Sequence, residues 1–150
     1  MSMDNSFRLH HIGILVADIA ATSEQFAKRF GYSIDSPIIE DARQTAFVQF
    51  LRLGKADHWT ELVSPNGDKS VLRGALERRK GGVHHLCYEV DDIDAACKIL
   101  RGQAMAMVSA PVPAVAFDGR RIAWFLDRDQ FLVELVEAGP GRLSLSSLAG

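Results

Sequence analysis

Apolar and polar residues follow each other in a way that predicts a strand and then a helix at the start of this chain. Residues 8–16 are apolar enough, and alternate enough, to form a strand. Asp18 then stands where an N-cap side chain accepts backbone N–H groups. Apolar side chains recur every three to four residues through 19–30, and Gly31 is placed to end the helix in a left-handed conformation. Further strands are predicted at 32–39, broken by Pro37, at 45–53 and at 58–63.

The second half of the chain repeats this order of elements. A strand at 83–90 precedes an N-cap at Asp92 and a helix at 93–100. Further strands are predicted at 104–108, 121–126 and 131–137, with a loop through Pro111 and Pro113 after the first of them. The pattern favours an α+β fold in a single domain, 1–150. Its predicted parts are a first β-α-β-β-β module at 8–64, a connecting turn and helix at 65–82, a second module at 83–138 and a tail at 139–150.

Residue identities recur as well, at a nearly constant spacing. The stretch around His11 aligns without a gap with the stretch around His85, at an offset of 74 residues. Further along, the stretch around Glu61 aligns with the stretch around Glu134 at an offset of 73. Such self-similarity indicates two copies of one structural unit. Each copy supplies one histidine early and one glutamate late, so the two copies could share one site.

The two repeated glutamates suggest a bound cation. In their predicted strands Glu61 and Glu134 each lie between apolar residues of the same face, where an unpaired buried charge would cost several kcal/mol. A cation would remove that cost. Two imidazoles and two carboxylates suit one divalent Co, Ni, Zn, Fe or Mn ion. A single histidine or glutamate would more simply be structural, so the metal prediction depends on the joint recurrence.

Strand alternation separates the two histidines of each pair. Residues two apart share a face, so His10 and His84 fall among apolar residues that should pack on the helices. His11 and His85 fall on the other face, where smaller neighbours leave room for a ligand. We therefore predict structural roles for the first pair and metal binding for the second.

Bulk properties exclude several classes of protein. Hydrophobic residues make up 47% and charged residues 24% of the 150 residues, which is typical of soluble globular proteins, and no apolar run approaches the roughly 18 residues of a membrane span. The polar start of the chain lacks the pattern of a secretion signal, so a cytoplasmic location is expected. A net charge of −2 argues against nucleic acid as a partner. Cys87 and Cys97 are expected to be free buried thiols.

The segment Gly119-Arg120-Arg121 is a candidate for binding an anionic group. It follows a Phe-Asp turn, and its guanidinium groups could form charge-assisted hydrogen bonds. A basic hairpin that faces water explains the same residues equally well. The chain has no phosphate-cradling glycine loop, no serine elbow and no cysteine-histidine pair typical of nucleophilic catalysis.

From residue 9 to residue 137 the chain resembles the vicinal oxygen chelate superfamily. That resemblance implies paired β-α-β-β-β modules that form a curved, mostly antiparallel sheet around a central metal cleft. Within the superfamily, segments 64–85 and 119–124 are most similar to methylmalonyl-coenzyme A epimerases. The positions that match metal ligands of the superfamily are His11, Glu61, His85 and Glu134.

The resemblance implies removal of the proton next to a thioester carbonyl through a metal-stabilised enolate. Glu134 is then the first candidate for the base, and Glu61 is the second. Epimerisation also needs an acid–base group on the opposite face of the intermediate. A glutamate proposed for that role in the epimerases aligns with Gln49, which cannot take a proton, so Glu61 would have to serve. Gln49, Arg120 and Arg121 are expected to bind the substrate.

Other functions within the superfamily stay open. The four ligands also resemble those of glyoxalase I, or lactoylglutathione lyase, which acts on a glutathione adduct. The carboxylate of Glu61 and the absence of a carboxylate at position 49, which is Gln49, favour glyoxalase I. A ligand-sequestering resistance protein of the same fold would hold no metal. An extradiol dioxygenase is less favoured, because such enzymes use two histidines and one carboxylate. By analogy the chain is also expected to form a homodimer.

Overall fold

The computed structural model describes residues 6–138, and in it two similar halves follow one another along the chain. The first half comprises β1 (Arg8–Leu15), α1 (Ile19–Phe30), β2 (Tyr32–Ile34), β3 (Ile39–Asp41), β4 (Ala46–Leu53) and β5 (Trp59–Pro65). Helix α2 (Val71–Arg79) leads to the second half, which comprises β6 (Gly82–Val90), α3 (Ile93–Gly102), β7 (Ala106–Pro113), a short 3-10 helix (Val115–Phe117), β8 (Arg121–Leu126) and β9 (Leu132–Glu137). The predicted α+β class is confirmed. The tail predicted at 139–150 lies outside the described residues.

Equivalent side chains begin the equivalent helices of the two halves. The Asp18 carboxylate accepts the Ala21 backbone N–H at 3.1 Å, and the Asp92 carboxylate accepts that of Ala95 at 3.0 Å. Each aspartate satisfies one of the N–H groups that a first helical turn leaves without an intrahelical partner. Among residues 6–138, no helix has the length and apolar composition needed to cross a bilayer.

The nine strands within residues 6–138 join one curved sheet, in which the four central strands carry the predicted metal ligands. The order is β2-β4-β5-β1-β6-β9-β8-β7, with β3 paired to β4. Strands β1 and β5 run parallel, as do β6 and β9, whereas β1 and β6 pair antiparallel and join the halves. Glu61, His11, His85 and Glu134 therefore lie on four adjacent strands, although up to 123 residues separate them in sequence (134 − 11 = 123).

The sheet separates a shared core from two smaller cores under the helices. Leu51, Leu62 and Ile19 of α1 form one small core, and Ile93 of α3 belongs to its counterpart in the second half. The larger core lies on the other side and includes Leu15, Val48, Phe50, Val63, Cys87, Phe117, Ile122 and Val136. Cys87 and Cys97 are both buried and free, as the sequence predicted.

Two predicted segments that contain proline, one strand and one loop, differ from the observed structure. The strand expected at 32–39 is two short strands, β2 and β3, on either side of Pro37. The loop expected through Pro111 and Pro113 is instead part of β7. Strand β7 lies at the edge of the sheet, where proline is tolerated because fewer backbone N–H groups are needed for pairing.

The ladder between β1 and β6 contains two irregularities, and each leaves one histidine as an extra residue. Leu9 and His11 pair with adjacent residues of β6, so the register of the ladder skips His10 between them. Gly13 and Ile14 pair with His85 and Val83, so the register skips His84 as well. A bulge of this kind redirects side chains and is frequent next to active sites. Simple alternation, which placed His10 and His84 on the helix side, therefore fails at these two positions.

Candidate metal centre

The four predicted ligands converge at the centre of the sheet. The Nε2 atoms of His11 and His85 lie 3.1 Å apart. One carboxylate oxygen of Glu61 lies 3.4 Å from His11 Nε2 and 3.2 Å from His85 Nε2, and one oxygen of Glu134 lies 3.2 Å and 3.4 Å from the same atoms. Each of these residues is at most 5% exposed, so the cluster is screened from water.

Strand register brings these side chains together, and Gly13 makes the close approach possible. Gly13 pairs with Glu61 across the parallel ladder and with His85 across the antiparallel one. A Cβ atom at position 13 would lie 2.2 Å from His85 Cε1 and 2.7 Å from His85 Nε2. The His85 ring therefore occupies the space that any other residue at position 13 would fill.

The donor set and its spacing fit a divalent metal ion. Ligand atoms bound about 2.0–2.2 Å from one ion lie roughly 3–3.5 Å from each other, which is the spacing of the two imidazole nitrogens from each other and from each carboxylate oxygen. Two imidazole nitrogens and two carboxylate oxygens together favour a borderline ion of the Mn, Fe, Co, Ni or Zn group. His11, His85 and Glu134, whose ligand atoms all lie within 4.8 Å of one another, could hold such a cation, and Glu61 lies beside both imidazoles as the candidate fourth ligand.

Without a cation the cluster depends on protons for its charge balance. Burial disfavours the charged forms, but the imidazoles of His11 and His85 still lower the pKa of Glu61 and of Glu134 below the usual value. Burial likewise opposes protonation of the imidazoles, yet the neighbouring carboxylates raise the pKa of His85, and Cys87 together with these carboxylates raises that of His11 further. Protons on the imidazoles and a bound cation are therefore alternative ways to neutralise the carboxylates.

The metal-side residues are the four predicted ligands, His11, Glu61, His85 and Glu134. Each of the two metal-side histidines contacts the histidine that precedes it. His10 Nδ1 lies 2.8 Å from His11 Nδ1, and His84 Nδ1 lies 2.8 Å from His85 Nδ1. A histidine that binds metal through Nε2 carries its proton on Nδ1 and needs an acceptor there. Burial, together with the charges of His85 and Arg79, lowers the pKa of His84 to about 4, so it stays neutral and can accept that proton.

A cavity of about 360 Å³ opens above the cluster, with Glu61, His85 and Glu134 in its wall. Two aromatic rings border the ligands: the Phe117 ring stacks on His11 at 5.9 Å, and the Trp124 ring meets His85 edge to face at 4.8 Å. The remaining wall is mostly apolar and includes Ala46, Val48, Val63, Leu72, Ala114 and Ile122. A ligand of moderate size would therefore contact the metal-side groups in a largely water-free space.

Trp124 and Asp41 are polar groups of this cavity that were not predicted from the sequence. The indole N–H of Trp124 is buried and has no hydrogen-bond partner within residues 6–138. Asp41, at the end of β3, is 4% exposed and lines the same cavity. A tryptophan in an apolar strand and an aspartate in a polar turn give no distinctive sequence signal, because each position is common in any fold.

The structure does not bring Gln49, Arg120 or Arg121 to the cavity. Gln49 pairs with Leu62 on the α1 side of the sheet, and its amide donates to the Ser36 carbonyl at 3.1 Å. The Arg121 guanidinium binds Glu137 at 2.9 Å and Asp94 at 3.1 Å on the outer side. Arg120 lies in the turn before β8, where its backbone N–H donates to Phe117. The prediction that these three residues bind substrate is thus unsupported by the geometry.

Comparison with known proteins finds epimerases that are similar to this chain in sequence and in fold. The chain is 30% identical to the ethylmalonyl-CoA/methylmalonyl-CoA epimerase of Cereibacter sphaeroides, over 81% of this chain and 90% of that protein. The crystal structure of methylmalonyl-CoA epimerase from Mycobacterium tuberculosis superposes with a TM-score of 0.81 and 27% identity, covering 93% of this chain and 94% of the other. A weaker match is the lactoylglutathione lyase of Schizosaccharomyces pombe, 25% identical over 88% of this chain but only 48% of the lyase.

The match to a family model covers most of the two halves. Residues 10–124 fit the glyoxalase/bleomycin resistance protein/dioxygenase superfamily. This range includes His11, Glu61 and His85, and it extends across the ladder that joins β1 to β6. The resemblance inferred from the sequence repeat is confirmed. The chain belongs to the glyoxalase/bleomycin resistance protein/dioxygenase superfamily.

Proposed function

We propose that this chain is a metal-dependent epimerase of a 2-substituted malonyl thioester such as methylmalonyl-CoA. The observation that carries the proposal is that the Nε2 atoms of His11 and His85 lie 3.1 Å from each other and 3.2–3.4 Å from one oxygen each of Glu61 and Glu134, beside an apolar cavity. The relatives that match most of the chain supply the substrate class, because they are epimerases of such thioesters.

The reaction we propose begins with removal of the proton next to the thioester carbonyl. A divalent cation held by the four ligands would stabilise the negative charge that develops on the carbonyl oxygen. Glu134 is our first candidate for the group that takes the proton, and Glu61 is the second. Each carboxylate lies close to the histidines through one oxygen and lines the cavity that would hold the substrate.

The rest of the cavity would orient the acyl group and keep water away. Apolar walls strengthen every electrostatic interaction inside, because they exclude solvent. The Trp124 indole N–H, which has no partner in the described part of the chain, is available to an oxygen of the substrate. A cavity of about 360 Å³ suits the acyl and thioester end of the molecule, with the bulk of coenzyme A outside.

Glyoxalase I activity is the second candidate, and one observation favours it. Both Glu61 and Glu134 are carboxylates at hydrogen-bond distance from the two histidines, and Gln49 lies outside the cavity. Glyoxalase I would move a proton between adjacent carbons of a glutathione hemithioacetal. The lyase relative matches less well than the epimerases, so epimerisation is our first choice.

A two-substrate assay distinguishes these functions. The protein loaded with Co²⁺ or Ni²⁺ is incubated in D₂O with either methylmalonyl-CoA or the methylglyoxal–glutathione adduct, and proton NMR follows exchange and product. We expect epimerisation of the thioester with deuterium entering the α position. Activity on the adduct alone would overturn the epimerase proposal in favour of glyoxalase I. A protein that holds no metal and acts on neither substrate would instead favour ligand sequestration.

Variants of one strand provide the matched control. Glu134→Gln should lower turnover by about 10²–10⁴-fold, because an amide cannot take the proton. Glu137→Gln changes a carboxylate of the same strand that lies outside the cavity and binds Arg121, so turnover should change less than twofold. Equal activity of the two variants would exclude Glu134 as the base.

The oligomeric state and the cellular location of the protein stay predictions. The resemblance implies a homodimer, which light scattering coupled to size-exclusion chromatography would detect. A cytoplasmic location is expected from the sequence, and fractionation of cells that express the protein would test it.

A further inference from the structure

Asp41 is a carboxylate of the cavity that the metal cluster does not use. It ends β3 and pairs with Ala46 of β4, which also lines the cavity. Its side chain is 4% exposed, and one carboxylate oxygen accepts the Gln44 backbone N–H at 3.1 Å. Within residues 6–138, the cavity wall contains just three carboxylates: Asp41, Glu61 and Glu134.

The three carboxylates approach the cavity from different places in the sheet. Glu61 and Glu134 lie on β5 and β9, which flank the two central strands. Asp41 lies on β3, which is two strands removed from β5 through β4. With paired strands about 4.8 Å apart, that places its backbone roughly 10 Å from β5 across a curved sheet. A substrate that fills the cavity would therefore lie between Asp41 and the metal-side pair.

The protonation of Asp41 suits a proton donor. Burial raises its pKa, backbone N–H groups of Gln44 and Arg43 partly oppose this, and the negative charges of Glu134 and Glu61 raise it further. The carboxyl group is thus more readily protonated than an exposed aspartate.

Inversion at a carbon requires one group to take the proton and another to return it from the opposite face. Gln49 cannot do so, since an amide does not titrate and its side chain lies on the other side of the sheet. We propose that Asp41 is the second acid–base residue of the epimerase, acting on the face of the intermediate opposite Glu134. This inference rests on the proposed epimerase function.

The proton balance is complete without another reactant. Glu134 takes the α-proton, and the electron pair of the broken C–H bond passes into the enolate. The enolate then takes a proton from the Asp41 carboxyl group, which forms the new C–H bond on the other face and leaves Asp41 as a carboxylate. Exchange with water resets both groups, and in the reverse direction Asp41 is the base.

The test separates inversion from proton exchange. The metal-loaded wild-type protein and Asp41→Asn are given each stereoisomer of methylmalonyl-CoA in D₂O, and deuterium entry and inversion are measured separately. Asparagine retains an oxygen that accepts the Gln44 N–H, so the turn is preserved. We expect inversion to fall at least about 100-fold, while one stereoisomer, the one whose proton Glu134 takes, still exchanges.

A matched control and a second variant complete the experiment. Asp127→Asn changes another aspartate that accepts backbone N–H groups in a turn, those of Asp129 and Phe131, but lies outside the cavity, and it should invert at the wild-type rate. Asp41→Ser, which also retains an acceptor, replaces Asp41→Asn if the latter does not fold.

Each outcome decides between the two proposals. If the wild type inverts the thioester and the Asp41 variant does so equally well, the role of Asp41 is wrong and the epimerase function stands. If the variant loses exchange of both stereoisomers to the same degree, Asp41 is not a group for one face, and the inference again fails. If the wild type neither exchanges nor inverts the thioester, the epimerase function fails and the inference falls with it.

Discussion

Gly13 lies directly opposite His85 in the ladder between β1 and β6, and the imidazole ring occupies the space where a side chain at position 13 would begin. A Cβ atom there would lie 2.2 Å from Cε1 and 2.4 Å from Nδ1 of His85. Real carbon atoms do not approach so closely, so a larger residue at position 13 must displace the ring. The position of His85 Nε2 thus depends on Gly13 having no side chain in the neighbouring strand.

Gly13→Ala should therefore weaken metal binding more than it weakens the fold. We expect the affinity for Co²⁺ to fall by about tenfold or more, because the displaced ring can no longer place Nε2 beside His11 and the two glutamates. Isothermal titration calorimetry on the metal-free variant measures this. Gly102→Ala is the control: an added Cβ at that helical position meets nothing within 4 Å, so its metal affinity should equal that of the wild type. Equal affinities of the two variants would contradict the prediction.

The internal repeat was enough to predict the halves and the four converging side chains. Residues at matching positions of two similar modules lie at matching places in the fold, so His11 with His85, and Glu61 with Glu134, could be grouped without knowing the sheet order. The order itself, which puts β1 and β6 side by side, depends on contacts between the halves that no local pattern records.

The places of a few side chains could not be predicted, for local reasons. Residues 46–51 are apolar on both faces of β4, so alternation does not reveal which face Gln49 takes. Asp41 looks like a turn residue, and only the pairing of β3 with β4 brings it to the cavity. The bulges that turn His10 and His84 toward their neighbours arise from the pairing of two distant strands. Each of these places therefore depends on tertiary pairing that a single strand does not specify.

Metal affinity should rise with pH. Burial opposes protonation, but the two carboxylates raise the pKa of His85, and Cys87 together with the carboxylates raises that of His11, so in the metal-free protein both imidazoles keep their protons to higher pH than a free histidine does. A metal ion binds only the unprotonated Nε2 atoms and must displace those protons. We expect affinity for Zn²⁺ or Co²⁺ to increase from about pH 6 to about pH 8.5, with at least one proton released per ion.

The stability of the metal-free protein should change with pH in the opposite direction to its metal affinity. A histidine with a raised pKa stabilises the fold fully below its unfolded value of about 6.5, and that contribution disappears as the pH rises through the folded value. The metal-free protein should therefore lose stability over that interval, and the increase in Tm on adding metal should grow. Titration calorimetry of metal binding in two buffers counts the protons released per ion. The control is His58→Gln: His58 lies outside the cavity, so the pH dependence of metal affinity in this variant should equal that of the wild type. An affinity independent of pH would contradict the prediction.

Replacing His84 should test how the preceding histidine holds His85. His84→Leu removes the acceptor that lies 2.8 Å from His85 Nδ1, so the ring loses the contact that keeps its proton away from Nε2. Loss of such an indirect partner typically lowers metal affinity about 10–100-fold. His84→Gln offers an amide oxygen as a replacement and should recover a substantial part of the affinity. If leucine binds metal as tightly as the wild type does, the contact has no such role.

Trp124→Phe should weaken substrate binding while leaving the metal centre intact. Phenylalanine can keep the edge contact with His85, which the tryptophan makes at 4.8 Å, but it lacks the buried indole N–H. A hydrogen bond to a charged oxygen contributes about 1.5–3 kcal/mol, so KM should rise roughly 10- to 100-fold with metal content unchanged. Trp59→Phe is the matched control, because the Trp59 N–H donates to Asp35 at 3.1 Å outside the cavity. A KM that rises equally in both variants would show that the Trp124 N–H does not contact the substrate.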